Sequence, residues 1–206
     1  MLAGCEVVCV DHPGHGDAPV VEFERVTDLA RRVLDVVTAE RFSFVGLSLG
    51  GAIGMQIALD APARLERLVL ACTSARFGEP DFWLDRAGTV RERGIGAIVD
   101  TVMKRWFTPG FSNVQPFRAM LLSTAVEGYA RCCEALARWD LRDALGQISA
   151  PTLVIAGAED PSTPPSHGEL LADRVPGARL AVIAGAAHLA NVERPDNFNE
   201  LLERQL

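Results

Sequence analysis

Ser48 stands in Gly46-Leu47-Ser48-Leu49-Gly50, which fits the pattern G-x-S-x-G. In that pattern a serine rides a sharp strand-to-helix turn that lifts its hydroxyl above the sheet edge. Small residues two places either side let the backbone close without side-chain collisions. The helix that follows points its first N–H groups at the site, which favours negative charge developing there. The Leu49 N–H is the nearest candidate oxyanion donor. Three fixed positions in five recur by chance, so context decides. Phe42-Ser43-Phe44-Val45 reads as a strand and the residues from Gly51 as a helix, the order this chemistry demands.

A serine hydroxyl needs a base to act as a nucleophile at neutral pH, and imidazole titrates in the right range. The chain holds four histidines. His188, in Gly185-Ala186-Ala187-His188, follows a strand-like run, precedes the last helix and comes after the serine. His12 and His15 come before it and read as shaping a Pro/Gly turn, while His167 opens a Pro-rich loop and reads as exposed. A third group must hold the imidazole in the right tautomer and stabilise imidazolium. Glu159 and Asp160 both follow the run Thr152 to Gly157, and position alone leaves both open. Asp11 precedes the serine and reads as holding its own turn.

These side chains need a frame. Cys5 to Val10, Phe42 to Gly46 and Leu68 to Cys72 read as strands, with helical spacing after Thr27 and from Leu49 to Leu59. This β-α-β-α-β alternation is the mark of a parallel sheet with covering helices. From about Phe77 to Gly146 no strand is evident, and helical stretches carry most of the aromatics, Trp83, Trp106 and Tyr129 among them. Alternation resumes with Thr152 to Gly157, a helix near Glu169 to Asp173, a strand at Leu180 to Ile183 and a helix after Pro195. The expected division is a core in two parts, 1–76 and 147–206, around a helical cap at 77–146.

At 206 residues and 49% hydrophobic, the chain has the makings of one sizeable folded domain,. A net charge of −7 argues against general nucleic-acid binding,. It also means that an anionic substrate requires local positive charge in the pocket. The five cysteines, Cys5, Cys9, Cys72, Cys132 and Cys133, are an odd set without CxxC spacing, read as buried thiols of a reducing cytoplasm rather than a disulfide frame or metal site,. Leu2-Ala3-Gly4-Cys5 looks like a lipoprotein cleavage box, but no basic or apolar leader precedes it,. No apolar run reaches the roughly 18 residues of a membrane span, so neither a membrane nor a nucleic-acid partner is expected, and a small-molecule substrate is.

The chain resembles the α/β-hydrolase superfamily over essentially its full length, and within it the 3-oxoadipate enol-lactonases. The segments that carry the likeness are Val45 to Gly51, Leu68 to Ala75, Trp106-Phe107-Thr108-Pro109, Gly128-Tyr129-Ala130-Arg131-Cys132-Cys133, Asp140-Leu141-Arg142 and Ala187 to Glu193. The first and last are common to many esterases; those in the cap point to the lactonases. The resemblance implies an α/β-hydrolase fold with a helical cap and a triad of Ser48, Asp160 and His188. It further implies opening of a small anionic enol-lactone to 3-oxoadipate in bacterial aromatic catabolism, without a cofactor. Trp106 and Arg131 are its candidate substrate contacts.

The pattern begins at what corresponds to the family's fourth strand. On that reading the N-terminal strands are missing, one of them an interior neighbour of Phe42 to Gly46. The loop that gives the second oxyanion N–H goes with them, and one such donor is worth about a hundredfold or more in rate. A weakly active or inactive chain is the resulting expectation. Two other readings share the frame, a general carboxylesterase and a non-catalytic ligand receptor. A dehalogenase is disfavoured because its chemistry wants a carboxylate where Ser48 stands.

Overall fold

A computed structural model describes residues 6–206. Its elements are α1 (Val26–Val36), β1 (Phe42–Leu47), α2 (Leu49–Asp60), β2 (Leu65–Ala71), α3 (Pro80–Arg93), α4 (Val99–Trp106), α5 (Gln115–Ser123), α6 (Val126–Ala137), β3 (Thr152–Gly157), α7 (Pro165–Arg174), β4 (Arg179–Ile183), α8 (Ala190–Glu193) and α9 (Pro195–Gln205). Among the described residues the strands form one sheet in the order β1-β2-β3-β4, every neighbouring pair parallel.

Alternate side chains of the sheet serve two cores, as a strand buried on both faces requires. Leu68, Leu70 and Val154 pack with Leu29, Val33, Ile53, Ile57 and Leu171 from α1, α2 and α7. Val69, Ala71, Leu153 and Ile155 face the other way, onto Phe198 of α9. The central strand β3 is therefore buried along its whole length, and β2 is apolar and buried from Leu68 to Ala71. No strand lies between Phe77 and Gly146. Helices α3 to α6 fill that stretch, and part of it has a core of its own built on Val90, Val99, Val102, Met103, Phe107 and Leu121. Phe107 stacks on Phe111 with ring centroids 4.7 Å apart.

One expected strand is absent. Of the run Cys5 to Val10, Cys5 lies outside the described residues, and 6–10 are irregular. Val7 and Val8 are 67% and 52% exposed. A strand exists only against a neighbour, and β1 has no second partner among the described residues. With nothing to bridge the gap from this segment to β1, its β-branched side chains alone cannot make a ladder. The cysteines also divide. Cys72, Cys132 and Cys133 are buried and free, whereas Cys9 is exposed.

Candidate active site

The carboxyl ends of β1, β3 and β4 lie along one edge of the sheet, and the loops leaving them carry Ser48, Asp160 and His188. In open parallel sheets that edge is where ligands bind. The register keeps the ends level: Leu47 is opposite Ala71, and Gly157 is opposite Ile183.

Ser48 joins β1 to α2 with φ 56° and ψ −115°, a strained conformation for a residue with a Cβ. Crowding at the turn explains two nearby glycines. A Cβ on Gly46 would lie 2.2 Å from the Gly50 carbonyl oxygen, and one on Gly51 would lie 2.6 Å from Thr73. Gly50 is different, because a Cβ there would meet nothing within 4 Å. The collision expected on that side of the serine thus falls one residue later. Thr73 Oγ1 donates to the Ser48 carbonyl at 2.6 Å. Gly51 and Ala52 also donate their N–H groups to that carbonyl, at 2.9 and 3.2 Å. The Leu49 N–H, at the first position of α2, has no place in the intrahelical ladder.

His188 is buried, and its Nδ1 lies 2.8 Å from Asp160 Oδ2. Glu159, the other candidate acid, is exposed. Asp160 is held from several sides. Ser162 N–H and Thr163 N–H donate to Oδ1 at 2.7 and 3.1 Å, and Thr163 Oγ1 donates to Oδ2 at 2.7 Å. Burial alone would raise the Asp160 pKa, but the hydrogen bonds with His188 and Thr163 outweigh it and hold the carboxyl below its ordinary value,. Such an anion fixes the neighbouring imidazole with Nδ1 protonated and Nε2 free to accept.

The Asp160 and His188 loops are tied together. The Ala158 and Glu159 N–H groups donate to the Ile183 and Ala186 carbonyls at 3.0 and 2.9 Å. A Cβ on Gly157 would lie 2.2 Å from the Ala187 carbonyl oxygen. The buried carboxylate of Glu193 makes a second tether. It accepts from Ala187 N–H at 2.7 Å, from Thr108 N–H at 3.0 Å and from Thr108 Oγ1 at 2.6 Å. The Leu189 N–H donates to the Trp106 carbonyl at 3.0 Å. The helical stretch is thereby fastened to the loop that carries His188.

Ser48, Leu49 and His188 line a single cavity of about 570 Å³, with Trp106 in its wall. The hydrogen bonds of His188 run to Asp160 and Thr163, and none joins it to Ser48 Oγ. Bonds of that kind commonly close only when substrate is bound. Arg131, expected to touch substrate, is elsewhere. Its guanidinium pairs with Glu127 at 2.9 Å and Glu22 at 3.4 Å, outside the cavity. It sits on α6 with acidic partners on its own helix and on the N-terminal loop, and these draw it outward. The arginines in the cavity wall are instead Arg86 of α3 and Arg105 of α4.

His12 and His15 line the cavity as well as shaping their turn, in which His15 N–H donates to the His12 carbonyl. Burial and the neighbouring His15 lower the His12 pKa to about 4 against a smaller opposing pull from Asp11, and burial lowers His15 too. His167, expected to be exposed, is partly buried against the same cavity. Thr163, Glu193, Arg86 and Arg105 went unmarked in the sequence. Only Glu193, inside the matching segment Ala187 to Glu193, left any signal.

Fold and site together define the class. The chain belongs to the alpha/beta hydrolase family, whose model matches residues 2–201, and it is a hydrolase. It is 41% identical over 207 residues to 3-oxoadipate enol-lactonase 2 of Acinetobacter baylyi, covering 96% of this chain and 77% of that protein. Among solved structures it is similar to a hydrolase from Pseudomonas aeruginosa PA01, with TM-score 0.89, 40% identity and coverage of 93% and 76% of the two chains. It is also similar to the enol-lactonase from Burkholderia xenovorans LB400, with TM-score 0.88, 36% identity and coverage of 93% and 77%. No helix among the described residues is long and apolar enough to cross a membrane.

Proposed function

We propose that this hydrolase opens a small anionic enol-lactone, 3-oxoadipate enol-lactone, to 3-oxoadipate by way of an acyl-enzyme on Ser48. The observation that carries the reading is one cavity that receives both the strained serine turn and an imidazole whose far nitrogen is held by a buried carboxylate. The enol-lactonases among its relatives supply the substrate class. The same proposal takes the residues around 77–146 as a cap over the site, and puts the reaction in the cytoplasm, in the breakdown of aromatic acids.

In this mechanism Ser48 Oγ attacks the lactone carbonyl while His188 Nε2 takes its proton. Asp160 steadies the imidazolium that forms, and the Leu49 N–H donates to the oxyanion. Collapse breaks the ring C–O bond. The departing oxygen is an enolate stabilised by conjugation, and it stays tethered to the acyl chain because both ends belong to one molecule. Protonation from His188 gives the enol, which tautomerises to the ketone. Water then enters, His188 takes its proton, and hydroxide attacks the acyl carbon. The second collapse expels Ser48 and leaves the dicarboxylate.

The test is covalent labelling of the purified chain with a fluorophosphonate, alongside turnover of the enol-lactone and of a neutral p-nitrophenyl ester. The label is expected on Ser48, and Ser48→Ala is expected to lower lactone turnover by about 10⁴-fold or more. A chain that takes no label would instead be a ligand receptor of the same fold. A chain that turns over only the neutral ester would be a general carboxylesterase.

A further inference from the structure

The proposed substrate carries a carboxylate, and a chain of net charge −7 must attract it against its own field,. The positive charge must therefore come from the wall of the cavity. Burial pushes the imidazoles of His12, His15 and His167 toward their neutral forms. The carboxylate in the wall is Glu79, already held by Arg76 at 2.8 Å. Arg86 and Arg105 remain, one from each of α3 and α4, both partly buried.

Their surroundings differ from those of most other arginines of the helical stretch, and the two others without a carboxylate partner, Arg93 and Arg138, are exposed and outside the cavity wall. Arg91, Arg118, Arg131 and Arg142 each lie within 4.0 Å of a carboxylate, whereas Arg86 and Arg105 have no such partner among the described residues. Both lie over one aromatic ring instead. The guanidinium carbons lie 4.8 and 5.3 Å from the Phe82 ring centroid, and that of Arg86 is also 5.3 Å from Trp83. Cation–π contact holds a guanidinium in place without engaging its N–H donors with another anion. The one side-chain hydrogen bond of Arg86, to the Tyr129 hydroxyl, is long at 3.5 Å. Two cations gathered on one ring repel each other, and an anion drawn between or beside them removes that repulsion.

We infer that Arg86 and Arg105 are the specificity-determining residues of this site and that they bind the free carboxylate of the substrate. Phe82 serves as the platform that orients both guanidiniums. The inference rests on the reading of the cavity as the Ser48 active site. It makes the preference for anions a property of the helical stretch and leaves the chemistry to the sheet edge.

The experiment measures binding of adipate, a dicarboxylate, and of adipamide, its neutral isostere, to the whole chain by isothermal titration calorimetry. Protection of Ser48 from the fluorophosphonate is read in parallel. The parent is expected to prefer adipate over adipamide. Arg86→Gln and Arg105→Gln are each expected to shrink that preference roughly 10- to 100-fold, the worth of a charge-assisted hydrogen bond. Arg86→Lys and Arg105→Lys keep the charge but lose the planar fork, and are expected to retain a preference between that of the parent and that of the glutamine variants. A parent without preference for adipate overturns the inference. So does a preference that survives both glutamine variants, or one lost equally in the lysine variants. Failure of the serine mechanism reads differently, as adipate binding without any label on Ser48.

Discussion

Glu193 offers a direct test of how the His188 loop is held. Glu193→Gln keeps the size of the side chain and replaces one carboxylate oxygen by an NH₂ group. Oε1 accepts from both groups of Thr108, and Oε2 accepts from Ala187 N–H at 2.7 Å. Whichever way the amide turns, one side presents a donor to a donor. Either Ala187 N–H or Thr108 N–H loses its acceptor, since of these groups only the Thr108 hydroxyl can turn to accept. Hydrogen bonds to charged groups are worth about 1.5–3 kcal/mol each, and a buried orphan costs its desolvation besides, so a loss of roughly 3 kcal/mol follows. For a domain of this size that lowers Tm by roughly 6–12 °C. Differential scanning calorimetry measures it, with Glu200→Gln as the control. Glu200 pairs with Arg204 on the surface, where such pairs are worth about 0–1 kcal/mol. A Tm within about 2 °C of the parent for Glu193→Gln would refute the tether. Fluorophosphonate labelling of Ser48 should slow in the same variant, because Ala187 directly precedes His188, the proposed base.

His12 makes stability pH-dependent. Its folded pKa of about 4 lies below the ordinary 6.5, so the unfolded chain binds more protons between those values and stability rises with pH. The contribution is complete above pH 6.5 and is lost as pH falls toward 4. At 1.36 kcal/mol per unit the 2.5-unit gap amounts to about 3 kcal/mol,. Urea melts across this window should flatten by about that amount in His12→Gln, and an unchanged slope in that variant would show that the imidazole is not buried neutral. Gly157→Ala sets a Cβ 2.2 Å from the Ala187 carbonyl oxygen, and backbone cannot yield as a side-chain tip can. A cost of about 1–3 kcal/mol is expected, with loss of Ser48 labelling. In Gly50→Ala, whose Cβ meets nothing within 4 Å, urea melts should show stability held or raised by about 0.5–1 kcal/mol. Equal destabilisation in the two variants would refute this account of the glycines.

What could be read from the residues alone was whatever depends on neighbours in sequence. Phe42 to Gly46, Thr152 to Gly157 and Leu180 to Ile183 are apolar runs that must be buried wherever the chain takes them, and all three are strands. The serine turn was legible because its strain is local and Gly46 answers it directly. Gly50 and Gly51 were confused because the second collision is with Thr73, on a different strand-end loop. The N-terminal run failed for the complementary reason: Val7, Val8 and Val10 have β propensity, but pairing is a property of two strands, and propensity reports on one. Arg131 misled because a motif in sequence does not say which way a helix turns. Three and four residues decide a helical face, and α6 turns Arg131 toward Glu127 and Glu22 while Tyr129, Cys132 and Cys133 face the cavity.

Two of the groups that sequence could not mark act across a long separation. Glu193 binds Thr108 from 85 residues away, and Arg105 meets Phe82 across the turn between α3 and α4. Both belong to the junction between the helical stretch and the sheet. The Trp106 carbonyl and the Thr108 amide and hydroxyl fasten the end of α4 to the segment that bears His188. Arg105, immediately before Trp106, therefore takes its position from the same tether that positions His188. A substitution that loosens Glu193 should then disturb carboxylate preference and serine reactivity together. Arg105→Gln should disturb only the first. That difference separates a shared mechanical support from two independent sites, since independent sites would leave the adipate-to-adipamide preference of Glu193→Gln at the parent value.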